Sequence, residues 1–353
     1  MPSHTNTLTI TRPDDWHLHL RDGAALAAVA GFSARQFGRA VVMPNLQPPV
    51  TTVESAGRYR QRILDALPAG AGFQPLMTLY LTDSTEPAEI GRARASGFIC
   101  GLKYYPAGAT THSGAGVTAL ARCDGVLARM EELDVVLQLH GETTGTAVDP
   151  YDREAAFIER ELTRLVKQFP RLRIVLEHVT TAAGVEFVRG QGPRVAATLT
   201  PQHLLLNRGA MFDGGLRPHL YCLPLLKRER DREALVAAAT GDDPRFFLGT
   251  DSAPHARDAK ESACGCAGIF SAHAAIELYA HAFEQAGALA RLEAFASHRG
   301  ADFYRLPRNQ GKITLRRESW IVPPSYRFGA GELVPFFAGQ TLAWKLQPVD
   351  VRE

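Results

Sequence analysis

Short apolar runs recur along the chain, and most are followed by a segment in which apolar and polar residues repeat at helical spacing. The runs occupy 40–43, 76–81, 99–105, 135–139, 174–178, 195–199 and 246–249. An eighth precedes them, the alternating stretch Trp16-His17-Leu18-His19-Leu20-Arg21. Its period of two puts His17, His19 and Arg21 on one face and Trp16, Leu18 and Leu20 on the other. Helical spacing covers 55–67, 87–95, 120–133, 154–169 and a segment near 232–239, while 24–30 is long enough for only a turn or two. Ser84 or Thr85 is the expected cap of the helix over 87–95, Gly97 its stop, and Pro170 ends the helix over 154–169. Strands that alternate with helices in this way must pair in parallel, because each crossover needs the length of a helix. The fold predicted is therefore α/β, a TIM-type (β/α)8 barrel.

Beyond the eighth run, 269–286 and 288–296 read as outer helices parted at Gly287. The stretch 312–346 mixes β-branched, aromatic and proline residues and is expected to be a short, irregular C-terminal extension. It is too small for a second domain, so 1–353 is expected to be a single barrel domain, a length that closed barrels commonly reach.

Composition narrows the class. Hydrophobic residues make up 45% and charged residues 22%, and no segment is long and apolar enough to cross a membrane. A formal charge of +2 with both signs mixed gives no drive toward nucleic acid. Met1-Pro2-Ser3-His4 carries no signal-peptide pattern, and five cysteines make no even framework, so a cytoplasmic location is expected. Cys264-Gly265-Cys266 lacks a second pair at zinc-ribbon spacing and reads as free thiols.

In a parallel barrel, reactive groups collect at the C-terminal ends of the strands. His17 and His19 fall there on the first strand, Asn45 after the second, Lys103 near the end of the fourth, His140 after the fifth, His178 on the sixth and Asp251 after the eighth. Each has an ordinary explanation alone, but together they point to one metal site. Four imidazoles and a carboxylate suit zinc better than magnesium or calcium, with manganese, cobalt and nickel also compatible, and they are enough for two ions. A protonated Lys103 would be repelled by dications. It belongs in such a site only if buried neutral, or if carbon dioxide adds to its amine to give a bridging carbamate. Arg21 can hold an anion beside the metal. The small-residue run 106–116 suits a mobile loop. His112, His203 and His219 also lie in loop-like stretches, but the ligand set is complete without them.

The stretch Asp14-Asp15-Trp16-His17-Leu18-His19-Leu20-Arg21-Asp22-Gly23, with Met43-Pro44-Asn45-Leu46, Gly101-Leu102-Lys103-Tyr104-Tyr105-Pro106, Leu139-His140-Gly141-Glu142, Glu177-His178 and Gly249-Thr250-Asp251-Ser252-Ala253-Pro254-His255, resembles the amidohydrolase superfamily. Within it the chain is similar to the compact, bacterial-type dihydroorotases. Many relatives add a β-sandwich built from both chain ends, and too little chain flanks the barrel here for that.

The resemblance implies reversible closure of N-carbamoyl-L-aspartate to L-dihydroorotate, with loss of water, in pyrimidine synthesis. It implies two zinc ions. His17, His19, N6-carboxylated Lys103 and Asp251 would hold one, and Lys103, His140 and His178 the other, with Asp251 as the catalytic proton carrier. It further implies Arg21, Asn45 and His255 on the substrate carboxylate, backbone near Leu223 and Ala267 on the ring's polar edge, and Thr110 and Thr111 closing over the substrate. A homodimer acting on small molecules, without nucleic acid or membrane, is expected. Two alternatives stand beside this reading: another binuclear-metal cyclic amidase on the same barrel, and a catalytically silent relative that serves in assembly.

Overall fold

The chain enters through a strand that the apolar runs do not single out, β1 (Thr7–Thr11), and then builds the eight expected ones. These are β2 (Asp15–Leu18), β3 (Arg39–Val42), β4 (Gln74–Tyr80), β5 (Ile99–Tyr104), β6 (Val136–His140), β7 (Ile174–Glu177), β8 (Val195–Leu199) and β9 (Phe246–Leu248). Each pairs in parallel with the next in chain order. A parallel bridge between Leu18 and Ser252 closes the ring, where His19 N donates to Ser252 O at 3.1 Å and Asp251 N to His17 O at 2.9 Å. The structure is a computed structural model and describes residues 6–348. Met1-Pro2-Ser3-His4, on which the expectation of no leader rests, lies outside them.

Two apolar layers hold the barrel. Outside the strands, the helices bury a continuous shell that includes Leu26, Ile63, Leu102, Leu137, Leu176 and Phe283. Within the ring, Trp16, Val41, Leu76, Val136, Val175, Ala196 and Phe247 form a second cluster with Ala301 and Tyr304, from the helix Arg299–Tyr304 that plugs one end. Trp16 stacks on Tyr304 with ring centroids 4.6 Å apart. Gly300 is needed beneath it, since a Cβ there would meet Trp16 Nε1 at 2.0 Å. Side chains two residues apart on a strand share a face, so the same inner face climbs from Val136 to Gln138 to His140, from Val175 to Glu177, and from Ala196 to Thr198. The floor is apolar, the next level polar, and the top carries the histidines.

Several local expectations change. The register breaks between Asp15 and Leu18, so Trp16 joins the inner cluster while Leu18 and Leu20 join the outer shell, and β2 stops at Leu18 with Arg21 at a left-handed φ of 60°; the expected alternation of Trp16 to Arg21 does not hold. The first helix runs the full Gly23–Ala34, because Asp22 caps it and Leu26, Val29, Ala30 and Ala34 are buried. Neither Ser84 nor Thr85 caps the helix Pro87–Ser96; its N-cap is Glu86, and Thr85 Oγ1 instead accepts from Thr82 N at 2.9 Å. Residues 269–274 precede the helix Ala275–Gln285 rather than beginning it.

The extension is not irregular. β10 (Lys312–Ile321) pairs antiparallel with both β1 and β13 (Thr341–Leu346), and β11 (Tyr326–Phe328) with β12 (Gly331–Leu333). Thr-Leu-Thr-Ile-Thr and Lys-Ile-Thr-Leu-Arg do alternate, but they pair with each other across roughly 300 residues of sequence. The two flanks of the barrel thus share one small three-stranded sheet.

Candidate metal centre and anion pocket

His17 and His19 are buried at the barrel mouth, and each spends one ring nitrogen on a fixed partner. His17 Nδ1 donates to Glu177 Oε2 at 2.9 Å, and His19 Nδ1 to Asn45 Oδ1 at 2.9 Å. These bonds set the tautomers, leaving both Nε2 atoms as lone-pair donors. Both face Asp251 Oδ1, at 3.4 Å and 3.1 Å. Three lone pairs converge, and such an arrangement is satisfied only by a proton or a cation. The ligand atoms of this trio all lie within 4.8 Å of one another, and it is the group among the described residues arranged to hold a metal ion.

Electrostatics agree. Burial alone would raise the Asp251 pKa, but the hydrogen bond with His19 and the surrounding basic groups, Lys103 among them, hold it at about 2. Burial pushes both His17 and His178 well below the usual imidazole range, and the charge of Lys103 adds to it. These are neutral rings, the form in which histidine binds metal. Asp251 and His178 both sit at left-handed φ, 45° and 43°, a conformation that costs a non-glycine residue free energy and clusters at functional sites.

His140 and His178 stand apart from the trio on the same floor. Their rings are 4.9 Å apart, and His178 is 5.0 Å from His17. His140 Nε2 donates to Glu142 Oε2 at 2.8 Å, while His178 Nδ1 is buried without a partner. Lys103, fully buried on β5, has an Nζ with no hydrogen-bond partner, and burial lowers its pKa to about 8. An unpartnered buried amine is costly, so something is needed to complete it.

Beside the histidines lies a guanidinium, that of Arg21. Arg21 Nε donates to Pro254 O at 3.0 Å and Nη2 to His255 Nε2 at 2.9 Å, and Tyr59 OH donates to Arg21 O at 2.6 Å. The cavity is lined by His17, His19, Arg21, Asn45, Tyr105, Thr110, Thr111, His140, His178, Leu223, Asp251, Ala253, Ala267 and Gly268, with an empty volume of about 340 Å³. Thr111 covers it: Asn45 Nδ2 donates to Thr111 O at 3.2 Å, and Thr111 Oγ1 to Ala267 O at 3.3 Å. A larger cleft of about 940 Å³, lined by Arg12, Arg35, Pro68 and Gln347 among others, gathers no comparable donor set.

All thirteen residues singled out in the sequence therefore lie in or directly against one cavity, Lys103 and His255 just behind its wall. Sequence reasoning missed Glu177, Glu142, Tyr105 and Asp15. Asp15 accepts from Thr250 N, Thr250 Oγ1 and His17 N and ties the first strand to the last. Only its place in the first motif hinted at it. Of the loop histidines, His203 is locked between Thr200 Oγ1 and Pro224 O, His219 pairs with Glu261, and His112 Nδ1 lies 3.3 Å from Asn45 O.

Comparison with known proteins fits this geometry. Residues 10–326 match the family model described as the amidohydrolase family. A dihydroorotase from Laribacter hongkongensis is 64% identical over 342 residues, covering 97% of this chain and 99% of its own. Among solved structures, a dihydroorotase from Campylobacter jejuni matches with a TM-score of 0.90 at 35% identity, over 98% of this chain and 99% of that one. A dihydroorotase from Saccharomyces cerevisiae, solved with 5-fluoroorotic acid, matches with a TM-score of 0.89 at 32% identity, over 97% and 99%.

Proposed function

The chain belongs to the amidohydrolase family, among its dihydroorotases, and on that premise we propose how the residues of its cavity serve the reaction. It is a hydrolase of a cyclic amide, catalysing the reversible cyclisation of N-carbamoyl-L-aspartate to L-dihydroorotate and water in pyrimidine synthesis. The observation that carries the residue assignment is the meeting, in one cavity, of the converging lone pairs of His17, His19 and Asp251 with the Arg21 guanidinium.

The donor set fits a pair of dications. His17, His19 and Asp251 would hold one, and His140 and His178 the other. Lys103 would join both sets as an N6-carboxylate, the product of carbon dioxide adding to its neutral amine with loss of a proton. That supplies the partner that Nζ lacks. The choice of zinc rests on the imidazole-rich set. Bound there, the metals would supply Lewis acidity that lowers the pKa of water and polarises the ring carbonyl.

The chain's own groups do the rest. Arg21, Asn45 and His255 grip the substrate carboxylate, and this selects an acidic ring over a neutral one. Backbone groups of Leu223 and Ala267 meet the ring's polar edge. Asp251, ionised because its pKa is low, receives the proton released during hydrolysis and passes it to the departing ring nitrogen; cyclisation reverses the transfer. Thr110 and Thr111 cover the substrate and exclude bulk water.

The barrel and its extension are proposed to act as one unit, since β1 and β10 share a sheet. A cytoplasmic location is supported by five unpaired thiols, and the exposed side chains of Phe212, Leu216 and Ile321 are surface that a homodimer would cover. Among the described residues no helix is long and apolar enough to cross a membrane. The test is a comparison of rings: purified protein should open L-dihydroorotate and leave the carboxylate-free ring dihydrouracil untouched. Equal turnover of both would replace the proposal with the general cyclic amidase, and turnover of neither with the silent relative.

A further inference from the structure

Lys260 ends the short helix Arg257–Lys260 and is only 3% exposed. Its Nζ donates to three backbone carbonyls, Tyr221 O at 2.7 Å, Cys266 O at 2.8 Å and Gly268 O at 2.9 Å. A buried ammonium is expensive to keep, and burial lowers its pKa to about 8. Here the charge is met by carbonyl dipoles rather than by a carboxylate.

Those three carbonyls are not scattered. Cys266 O and Gly268 O flank Ala267, and Tyr221 lies two residues before Leu223; Ala267 and Leu223 both line the cavity. In a trans peptide the carbonyl and the next N–H point opposite ways, so holding Cys266 O at Lys260 sends the Ala267 N–H away from Lys260. The same knot is reinforced by Gly268 N, which donates to Tyr221 O at 3.0 Å. Gly268 has a φ of 154°, and a Cβ on it would meet Ala253 O at 2.6 Å, so this approach is open to glycine alone.

We infer that Lys260 is a positioning residue for substrate: its ammonium ties the Tyr221–Leu223 and Cys266–Gly268 backbone segments into one rigid edge of the cavity. The inference rests on the proposed reading that Leu223 and Ala267 meet the ring's polar edge. Lys260 is absent from the cavity lining and bonds only backbone carbonyls, so cutting the knot should loosen ground-state binding more than chemistry.

The test is Lys260→Met, with Lys260→Gln as a second variant that keeps N–H donors and measures the same effect should the methionine protein fail to fold. In Lys260→Met, hydrogen exchange at the Gly268 amide should accelerate at least about tenfold, and KM for L-dihydroorotate should rise about tenfold as the cavity edge loosens. Metal content should hold and kcat change much less than KM. Lys260→Gln should fall between parent and methionine variant in both measurements. Unchanged exchange and unchanged KM overturn the inference, as does faster exchange without a rise in KM, or a joint collapse of kcat and metal content. Should the parent itself fail to turn over L-dihydroorotate, the reading of function falls, and the exchange experiment still judges the knot independently.

Discussion

Arg21 Nη2 lies 2.9 Å from His255 Nε2, a guanidinium aimed at a neutral imidazole. Burial, and then the charge of Arg21, lower the His255 pKa to about 2, so the ring accepts from the arginine rather than competing with it. His255 Nε2 is also 3.0 Å from Ala267 O, and one tautomer cannot serve both. A substrate carboxylate would resolve that conflict by taking the arginine's donors. Arg21→Met should keep its metal content and lose about 3 kcal/mol of substrate binding, roughly a hundredfold in KM, for two charge-assisted bonds. Parent-like KM in this variant would remove Arg21 from the clamp.

Metal and Lys103 are coupled in the proposal, and two treatments separate them. Exhaustive chelation should abolish turnover and zinc should restore it. Lys103→Ala should lose most of its activity and part of its metal, because the bridging anion is gone. Acetate or propionate should return some activity by occupying the space left by the side chain. An alanine variant as active as the parent would rule out the bridge.

Thr110 and Thr111 belong to the loop after β5, and Thr111 already touches both Asn45 and Ala267. Hydroxyls placed over the attacked carbonyl act where charge develops, so the double replacement by valine should lower kcat roughly tenfold or more while leaving metal content intact. Steady-state kinetics decide. Unchanged kcat would reduce the segment to a surface loop.

His273 offers a pH test remote from the chemistry. It is fully buried, neither ring nitrogen has a hydrogen-bond partner, and burial lowers its pKa from 6.5 to about 3. Because the folded-state pKa is depressed, the unfolded chain binds the proton first. The residue costs nothing above about pH 6.5 and destabilises progressively as pH falls below it. At pH 5 the penalty is about 2 kcal/mol. His273→Phe should therefore narrow the difference in Tm between pH 7 and pH 5. An identical pH dependence in parent and variant would contradict the assignment.

The barrel was legible because each strand is buried on both faces and so reads as an unbroken apolar run, while the intervening helices carry their own period. The ligands were legible because barrel topology gives every strand the same reactive end. Arg21 was placed by an alternation that the backbone abandons at Leu18, and it reaches the cavity through a left-handed turn instead. Glu177 was visible as a residue but not as a partner, since its contact with His17 spans 160 positions. Lys260 sits in Asp-Ala-Lys-Glu-Ser, which has the composition of a solvated surface. Only the fold reveals that it is buried. Leu223 and Ala267 contribute backbone, which leaves no mark in side-chain chemistry.

Thr9 Oγ1 lies 2.9 Å from Thr314 Oγ1, across 305 positions of chain. The strand that precedes His17 and His19 is thus pinned by residues made long after it, and the Leu18–Ser252 bridge also waits on distant chain. On the ribosome, the emerging chain carries the imidazoles of His17 and His19 without the carboxylate or the sheet that hold them in place until Asp251 and then β10 have been made. Closing so long a loop is entropically costly and slow. A nascent chain stalled before residue 312 should lack the clasp, whatever part of the barrel has already folded.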